Sequence, residues 1–247
     1  MLNLIPISDA NPARRFPIVT LGLIAANIYA FFFLEPGFGQ TAGAQLYFVD
    51  NAPIPCQLPN DCPATIPGTD LPIPVRDPVS FLLATLLSIF LHGGWLHIIG
   101  NLLFLWIFGN NVEDHLGPVK YLVFYLLAGI VATLAHVFTH VDSFLPGIGA
   151  SGAVAGVMGA YLVLYPRARI NVLIPIFFFF TVVAMSAWVV LALWFVYQFF
   201  IGAQEAAGGA GVAWMAHVGG FVFGAAAIIL LGGRPQRPRP QWQPQWR

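Results

Sequence analysis

Four polar side chains stand out in a chain that is otherwise short of them: Ser151, His217, His97 and Asn101. A serine hydroxyl is a weak nucleophile until a base takes its proton, and histidine is the side chain most often used as that base. Ser151 lies in "PGIGASGAVAGVMGAY", between small residues at the start of an apolar run, and His217 in "WMAHVGGFVFG", a few residues into another. His97 and Asn101 lie in "HGGWLHIIGN", four apart, so they share one helix face. Both can donate hydrogen bonds of the kind that hold the oxyanion of a tetrahedral intermediate. A serine that opens a helix gains further from the free N–H groups and the dipole there. Together these residue types spell acyl transfer by a serine nucleophile. The plainer reading is packing, because small residues let membrane helices approach closely and polar side chains hydrogen-bond between them.

The solvent around these residues follows from composition. Of 247 residues, 58% are hydrophobic and 8% charged, against roughly 25% charged in an ordinary soluble domain. Ten acids and ten bases cannot give a domain of this size a polar shell. The chain therefore belongs in the lipid bilayer, and its zero net charge gives no sign of a nucleic-acid partner. No secretory signal peptide is expected, because the first apolar segment lacks a small-residue cleavage site and is long enough to span.

Apolar segments at Phe16–Leu34, Trp95–Gly109, Tyr121–Phe138, Ser151–Tyr165, Ile170–Ile201 and Val212–Leu231 predict an all-α, polytopic bundle of six transmembrane helices. Ser80–Leu91 covers only about 18 Å of a roughly 30 Å core and is read as a shallow segment. Ile170–Ile201 is too long for one untilted span and too short for two, so Pro175 is taken to divide an interfacial "IPIFFFF" lead-in from the span proper. Charge supports the count. Six spans put Arg14, Arg15, Lys120, Arg167, Arg169, Arg234, Arg237, Arg239 and Arg247 on one side, with only Arg76 on the other. Nine of ten cations on one side is a strong positive-inside pattern, so both termini are expected in the cytoplasm.

The domain organisation that follows is a cytoplasmic N-terminus over 1–15, a membrane domain over 16–231 with an external loop over 35–78, and a flexible Pro- and Arg-rich cytoplasmic tail over 232–247. The external loop holds the only two cysteines, Cys56 and Cys62. A local disulfide is the favoured reading in an oxidising space, with two free thiols the alternative. No metal site is expected there, since no histidine lies near.

Topology lets the four polar residues meet. Ser151 opens the fourth span from outside, His217 lies near the outer end of the sixth, His97 near the outer end of the second, and Asn101 one turn deeper. Polar groups within a bilayer are costly, so a common depth asks for a reason. Gly152, Gly156 and Gly159 form a stripe on the fourth span, and Gly220 and Gly224 one on the sixth. If the stripes face each other, Ser151 and His217 come within hydrogen-bond reach. No acid is placed to complete a triad. Glu113 and Asp114 are near the far end of the second span, with Glu113 roughly 18 Å along the helix from Asn101, and Asp142 and Glu205 fall in external loops. A Ser–His dyad is the simpler arrangement.

In order along the chain, "HGGWLHIIGN", "GNNVEDHLG" (109–117), "GASG" at Ser151 and "AHVGGFVFG" around His217 resemble the motifs of the rhomboid intramembrane serine proteases, over nearly the whole of residues 14–231. The resemblance implies Ser151 as nucleophile and His217 as general base. It implies an oxyanion hole of His97, Asn101 and the Ser151 backbone N–H, and no cofactor or metal. It implies transmembrane protein substrates cut in or near their membrane segments, after small residues and before helix-destabilising ones. The substrate helix would approach laterally near the fifth span. Oligomeric state is left open.

Two departures from the family stand out. Leu83-Ala84 replaces a Trp-Arg pair that anchors the first external loop in many members, and Ala155 replaces an aromatic residue that stacks on the catalytic histidine in some. His92 is read either as lining the cavity or as an ordinary loop histidine, and His115, His136 and His140 as ordinary polar residues. Two other classes compete. A non-catalytic client-binding relative would have lost Ser151 or His217. A small transporter would need charges deep in its spans, and none is found. The compact chain without a presequence leads to the expectation of a prokaryotic plasma membrane.

Overall fold

The computed structural model describes residues 5–176, 179–206 and 213–236. The described chain is mostly helical. A first strand, β1 (Ile5–Asp9), leads to α1 (Ile18–Tyr29), which continues through a π turn over Ala30–Leu34. Then come α2 (Ala42–Asn51), α3 (Pro78–Ser88), α4 (Trp95–Leu116), α5 (Pro118–Thr139) and α6 (Ser151–Leu164). Strands β2 (Arg169–Ile176) and β3 (Phe179–Ser186) precede α7 (Ala187–Ala206) and α8 (Trp214–Leu230). Of the described helices, α4 and α5 are each long and apolar enough to cross a membrane. Ile18–Leu34, α3, α6, Ala187–Gly202 and α8 are apolar but shorter.

Helix α6 is the hub, packed between α4, α5 and α8. Eleven of its residues are buried, among them Gly152, Gly156 and Gly159, as expected of a helix that is apolar all round. The outward faces of the surrounding helices carry exposed Leu122, Val123 and Leu127 on α5 and Val196, Phe199 and Phe200 on α7. Such a surface suits acyl chains and not water.

Boundaries follow local chemistry. Asp77 caps α3 by accepting from the N–H groups of Val79 and Ser80, and Pro78 fills the first helical position. Gly117, at φ 77°, turns the chain from α4 into α5. The start of α1 is capped from another helix. Glu113 of α4 accepts from the Val19 N–H (2.9 Å), the Thr20 N–H (2.7 Å) and the Thr20 hydroxyl (2.7 Å). A buried carboxylate on a helix N-terminus meets both the free N–H groups and the dipole, and this is the structural work of the "GNNVEDHLG" segment.

The all-α expectation needs one correction. The expected interfacial lead-in is two antiparallel strands, β2 and β3, with Pro175 inside β2, and β1 adds to them as an antiparallel third strand, in the order β1-β2-β3. Ile170 and Val172 are buried while Asn171 and Leu173 are not, a period of two that selects strand over helix. The run is also rich in β-branched and aromatic residues. The two strands account for the awkward length of the fifth apolar stretch, because they leave α7 with 20 residues, about 30 Å of helix. Glu205 falls in the last turn of α7 and not in a loop. The sheet lies at the end of the bundle where α4 and α6 finish. Residue 236 returns to the same end, its N–H donating to the Leu164 carbonyl. The tail expected over 232–247 lies outside the described residues beyond 236.

At the opposite end, residues 35–78 form a small cap. Cys56 and Cys62 are joined by a disulfide in an apolar cluster with Val49, Ile54 and Ile73. The cap is anchored without the Trp-Arg pair. Inside the cap Arg76 donates to the carbonyls of Asp50 (2.7 Å) and Val49 (3.1 Å) at the end of α2, and the cap is tied to the segment before α6 by the Gly147 N–H donating to the Pro53 carbonyl (2.8 Å).

Candidate active site

The cap, the adjoining ends of α4, α5, α6 and α8, and Trp194 of α7 line a cavity of about 740 Å³. Ser151, His217, His97 and Asn101 all open onto it. Ser151 is the first residue of α6 and His217 lies in the first turn of α8. Their side chains meet, with His217 Nε2 2.8 Å from Ser151 Oγ.

Helix contact sets that distance. A Cβ on Gly220 would collide with the carbonyl oxygen of Gly152, and one on Gly224 with that of Gly156. A Cβ on Gly159 would meet the Phe221 carbonyl. The two stripes therefore face each other at backbone contact, and Ser151 and His217 stand at their cavity end. Gly152 and Gly156 also leave room for the methyl groups of Ala132 and Ala128 on α5.

His97 and Asn101 approach from α4. The Gly93 N–H donates to His97 Nδ1 at 3.3 Å, which leaves the ring proton on Nε2. That nitrogen points at Gly149, where an added Cβ would stand 2.6 Å from it and 3.6 Å from Ser151 Oγ. Gly149 has φ 121°, so a side chain there is excluded by conformation as well as by space. Asn101 is buried and gives one amide N–H to the His97 carbonyl at 3.0 Å. Its second N–H stays available to the cavity. The first N–H groups of α6 have no partner within their own helix, so three kinds of donor lie around the cavity that Ser151 lines.

Three residues of the site were missed in the sequence. Gln198 of α7 places Oε1 2.7 Å from His217 Nδ1. Trp194, one turn earlier, lies beside the His217 ring with centroids 5.9 Å apart, an aromatic neighbour for the histidine where residue 155 is alanine. His136 of α5 lines the cavity. The helical spacing of Trp194 and Gln198, i and i+4, was a visible signal on the fifth apolar stretch. His92 lies not on the cavity wall but fully buried beside His97, with ring centroids 5.1 Å apart. Its backbone N–H donates to Glu35 at 2.9 Å. Desolvation pushes the Glu35 carboxyl up to about 7, against a weaker opposing effect of that hydrogen bond.

A helical membrane bundle with a serine and a histidine paired beneath a capped cavity defines a class of intramembrane protein. Residues 81–234 match the model of the rhomboid domain. The chain belongs to the rhomboid family, whose members are intramembrane serine proteases. It is 33% identical over 112 residues to zebrafish presenilin-associated rhomboid-like protein A, mitochondrial, covering 44% of this chain and 29% of that one. It is 31% identical over 97 residues to the human presenilin-associated rhomboid-like protein, mitochondrial, covering 38% and 26%. It is 43% identical over 77 residues to rhomboid protease GluP of Bacillus subtilis, covering 31% and 15%. The chain thus spans less than a third of the length of these relatives. The expected prokaryotic plasma membrane is corrected by these matches. The zebrafish, bovine and human relatives are mitochondrial proteins by name, against both the expected prokaryotic plasma membrane and the cytoplasmic termini assigned with it.

Proposed function

We propose that the chain is an intramembrane serine endopeptidase that cleaves transmembrane proteins in or near their membrane segments. The observation that carries the reading is the 2.8 Å contact between Ser151 Oγ and His217 Nε2 at a cavity that also receives His97 and Asn101. Six of the apolar helices, α1 and α4 to α8, cross the bilayer in this reading. Residues 16–231 form the membrane domain, residues 35–78 cap its outer face, and 1–15 and 232–247 lie on the cation-rich side.

A substrate segment enters from the bilayer near α7 and unwinds into the cavity. His217 Nε2 takes the Ser151 proton as Oγ bonds to the scissile carbonyl carbon. The oxyanion is held by His97, Asn101 and the Ser151 N–H, an arrangement in which each lost donor typically costs about 10²–10³ in rate. His217 then gives its proton to the leaving nitrogen as the C–N bond breaks. Water attacks the acyl-enzyme with His217 again as base, releasing Ser151.

The test is cleavage of a transmembrane substrate by the purified chain in liposomes, beside Ser151→Ala. Loss of cleavage in the variant is expected. A variant as fast as the wild type would sink the assignment.

A further inference from the structure

We propose that Gln198 is a positioning residue for this reaction. From α7 it holds His217 in the tautomer and orientation that leave Nε2 free to take the Ser151 proton. The inference rests on the Ser151–His217 reading and adds to it a member on a third helix.

The orientation of the amide follows from its two neighbours. Gln198 is 2% exposed, so each of its polar atoms needs a partner. Its Nε2 lies 3.3 Å from the Trp194 carbonyl oxygen. A carbonyl only accepts, so the amide nitrogen faces Trp194 and the amide oxygen faces the imidazole. At 2.7 Å from His217 Nδ1, that oxygen in turn only accepts, so Nδ1 carries the ring proton. Nε2 is left with its lone pair toward Ser151 Oγ, 2.8 Å away. The opposite tautomer would turn an N–H toward the serine and leave Nδ1 without a donor beside the amide oxygen. It would be useless as a base and would leave a buried pair unsatisfied.

The same bond survives proton transfer. When Nε2 takes the serine proton both ring nitrogens become donors, and the Gln198 oxygen goes on accepting from Nδ1 without rearranging. A neutral amide fixes direction in this way while adding less charge stabilisation than a carboxylate would, which fits a site where, among the described residues, no acid is bonded to His217. Trp194 completes the clamp. It lies beside the ring, tilted 42° to it with centroids 5.9 Å apart, and is itself stacked on Phe221 of α8 at 6.0 Å. Backbone contact between α8 and α6 thus sets how far His217 is from Ser151, and α7 sets which way the ring faces. A displacement of α7 would release the base without moving the serine.

The experiment compares Gln198→Met, which keeps the length of the side chain and removes the acceptor, with Gln198→Glu, which keeps an acceptor toward Nδ1. Both are assayed in the full chain on a transmembrane substrate, with fluorophosphonate labelling of Ser151 read in parallel. Hydrogen-bond partners that orient a metal-bound histidine typically carry about 10–100-fold, and the same scale is expected for a partner that orients a histidine base. Gln198→Met is expected to lose that much in kcat and in labelling rate, with KM little changed, and Gln198→Glu to recover most of it. The proposal is overturned if Gln198→Met cleaves and labels at the wild-type rate, if both variants lose equally, or if the loss falls on KM. Ser151→Ala separates the two levels. If it cleaves as well as the wild type, the serine-protease reading fails as a whole. If it is dead while Gln198→Met is unimpaired, only the role of Gln198 falls.

Discussion

The carbonyl oxygen of Gly156 on α6 occupies the place where a methyl group on Gly224 of α8 would stand. The two helices touch through their backbones there. One turn nearer the cavity, Gly220 meets the Gly152 carbonyl in the same way. Ser151 and His217 follow at the end of this seam, so their separation is a consequence of glycine packing several residues deeper.

Gly224→Ala therefore tests whether the seam governs the dyad. Overpacking a filled interior costs roughly 1–3 kcal/mol, and the strain can be relieved only by moving α8 away from α6. A lower thermal midpoint in detergent and a fall in kcat are expected together. Gly22→Ala on α1 is the control, since an added Cβ there meets nothing within 4 Å. It should keep activity and stabilise slightly, by about 0.5–1 kcal/mol at a helix-interior glycine. If Gly224→Ala cleaves normally, the seam is packing alone.

Gly149 offers a test of the oxyanion side. Its φ of 121° and the 2.6 Å approach of an added Cβ to His97 Nε2 mean that Gly149→Ala would displace the histidine donor from the serine. His97→Ala and Asn101→Ala remove donors outright. A single oxyanion donor is typically worth about 10²–10³ in rate, so each of the three should lower kcat on that scale while KM moves much less. Fluorophosphonate labelling should fall in parallel, because that reagent also places an oxygen in the hole. Losses confined to KM would assign these residues to substrate binding.

Much of this site was legible because membrane sequences advertise their exceptions. Ser151, His97, Asn101 and His217 are polar residues in apolar runs, and their common depth follows from counting spans. The glycine stripes carry their own period, and the facing of Gly152 and Gly220 could be anticipated from it. Gln198 was hidden by its neighbourhood. It sits in a stretch whose first half is mostly strand, so neither its depth nor its face could be fixed until β2 and β3 had been separated from α7. The strands were themselves obscured by hydrophobicity. "IPIFFFF" is apolar enough for a membrane lead-in, and the alternation that marks sheet is one of burial, Ile170 and Val172 in and Asn171 and Leu173 out, which the apolar Leu173 hides in the sequence. The cap was hard to read for a different reason. Its order comes from single contacts, such as Arg76 on the end of α2 and Cys56 to Cys62, and not from a repeating pattern.

Asp9 gives the sheet end of the molecule a pH signature. The residue ends β1, outside the membrane-spanning segments, and its Oδ2 accepts from the Tyr161 hydroxyl and from Asn111 Nδ2, each at 2.8 Å. Burial pushes its carboxyl up from 3.8 to about 6, with those hydrogen bonds opposing the rise. A carboxyl with a higher pKa in the folded than in the unfolded chain binds its proton more tightly when folded. Its contribution to stability is full below the unfolded pKa of 3.8, declines as pH rises, and is lost above about 6. Asp9→Asn keeps an oxygen to accept from Tyr161 and Asn111 and removes the charge. The variant should have the higher thermal midpoint above about pH 7, with the gap closing below about pH 4 as the wild-type carboxyl takes up its proton. Midpoints measured across that range would dismiss Asp9 as the source if the two curves ran parallel. Cleavage at a fixed, permissive temperature should barely differ between the two, since the site lies at the other end of α6.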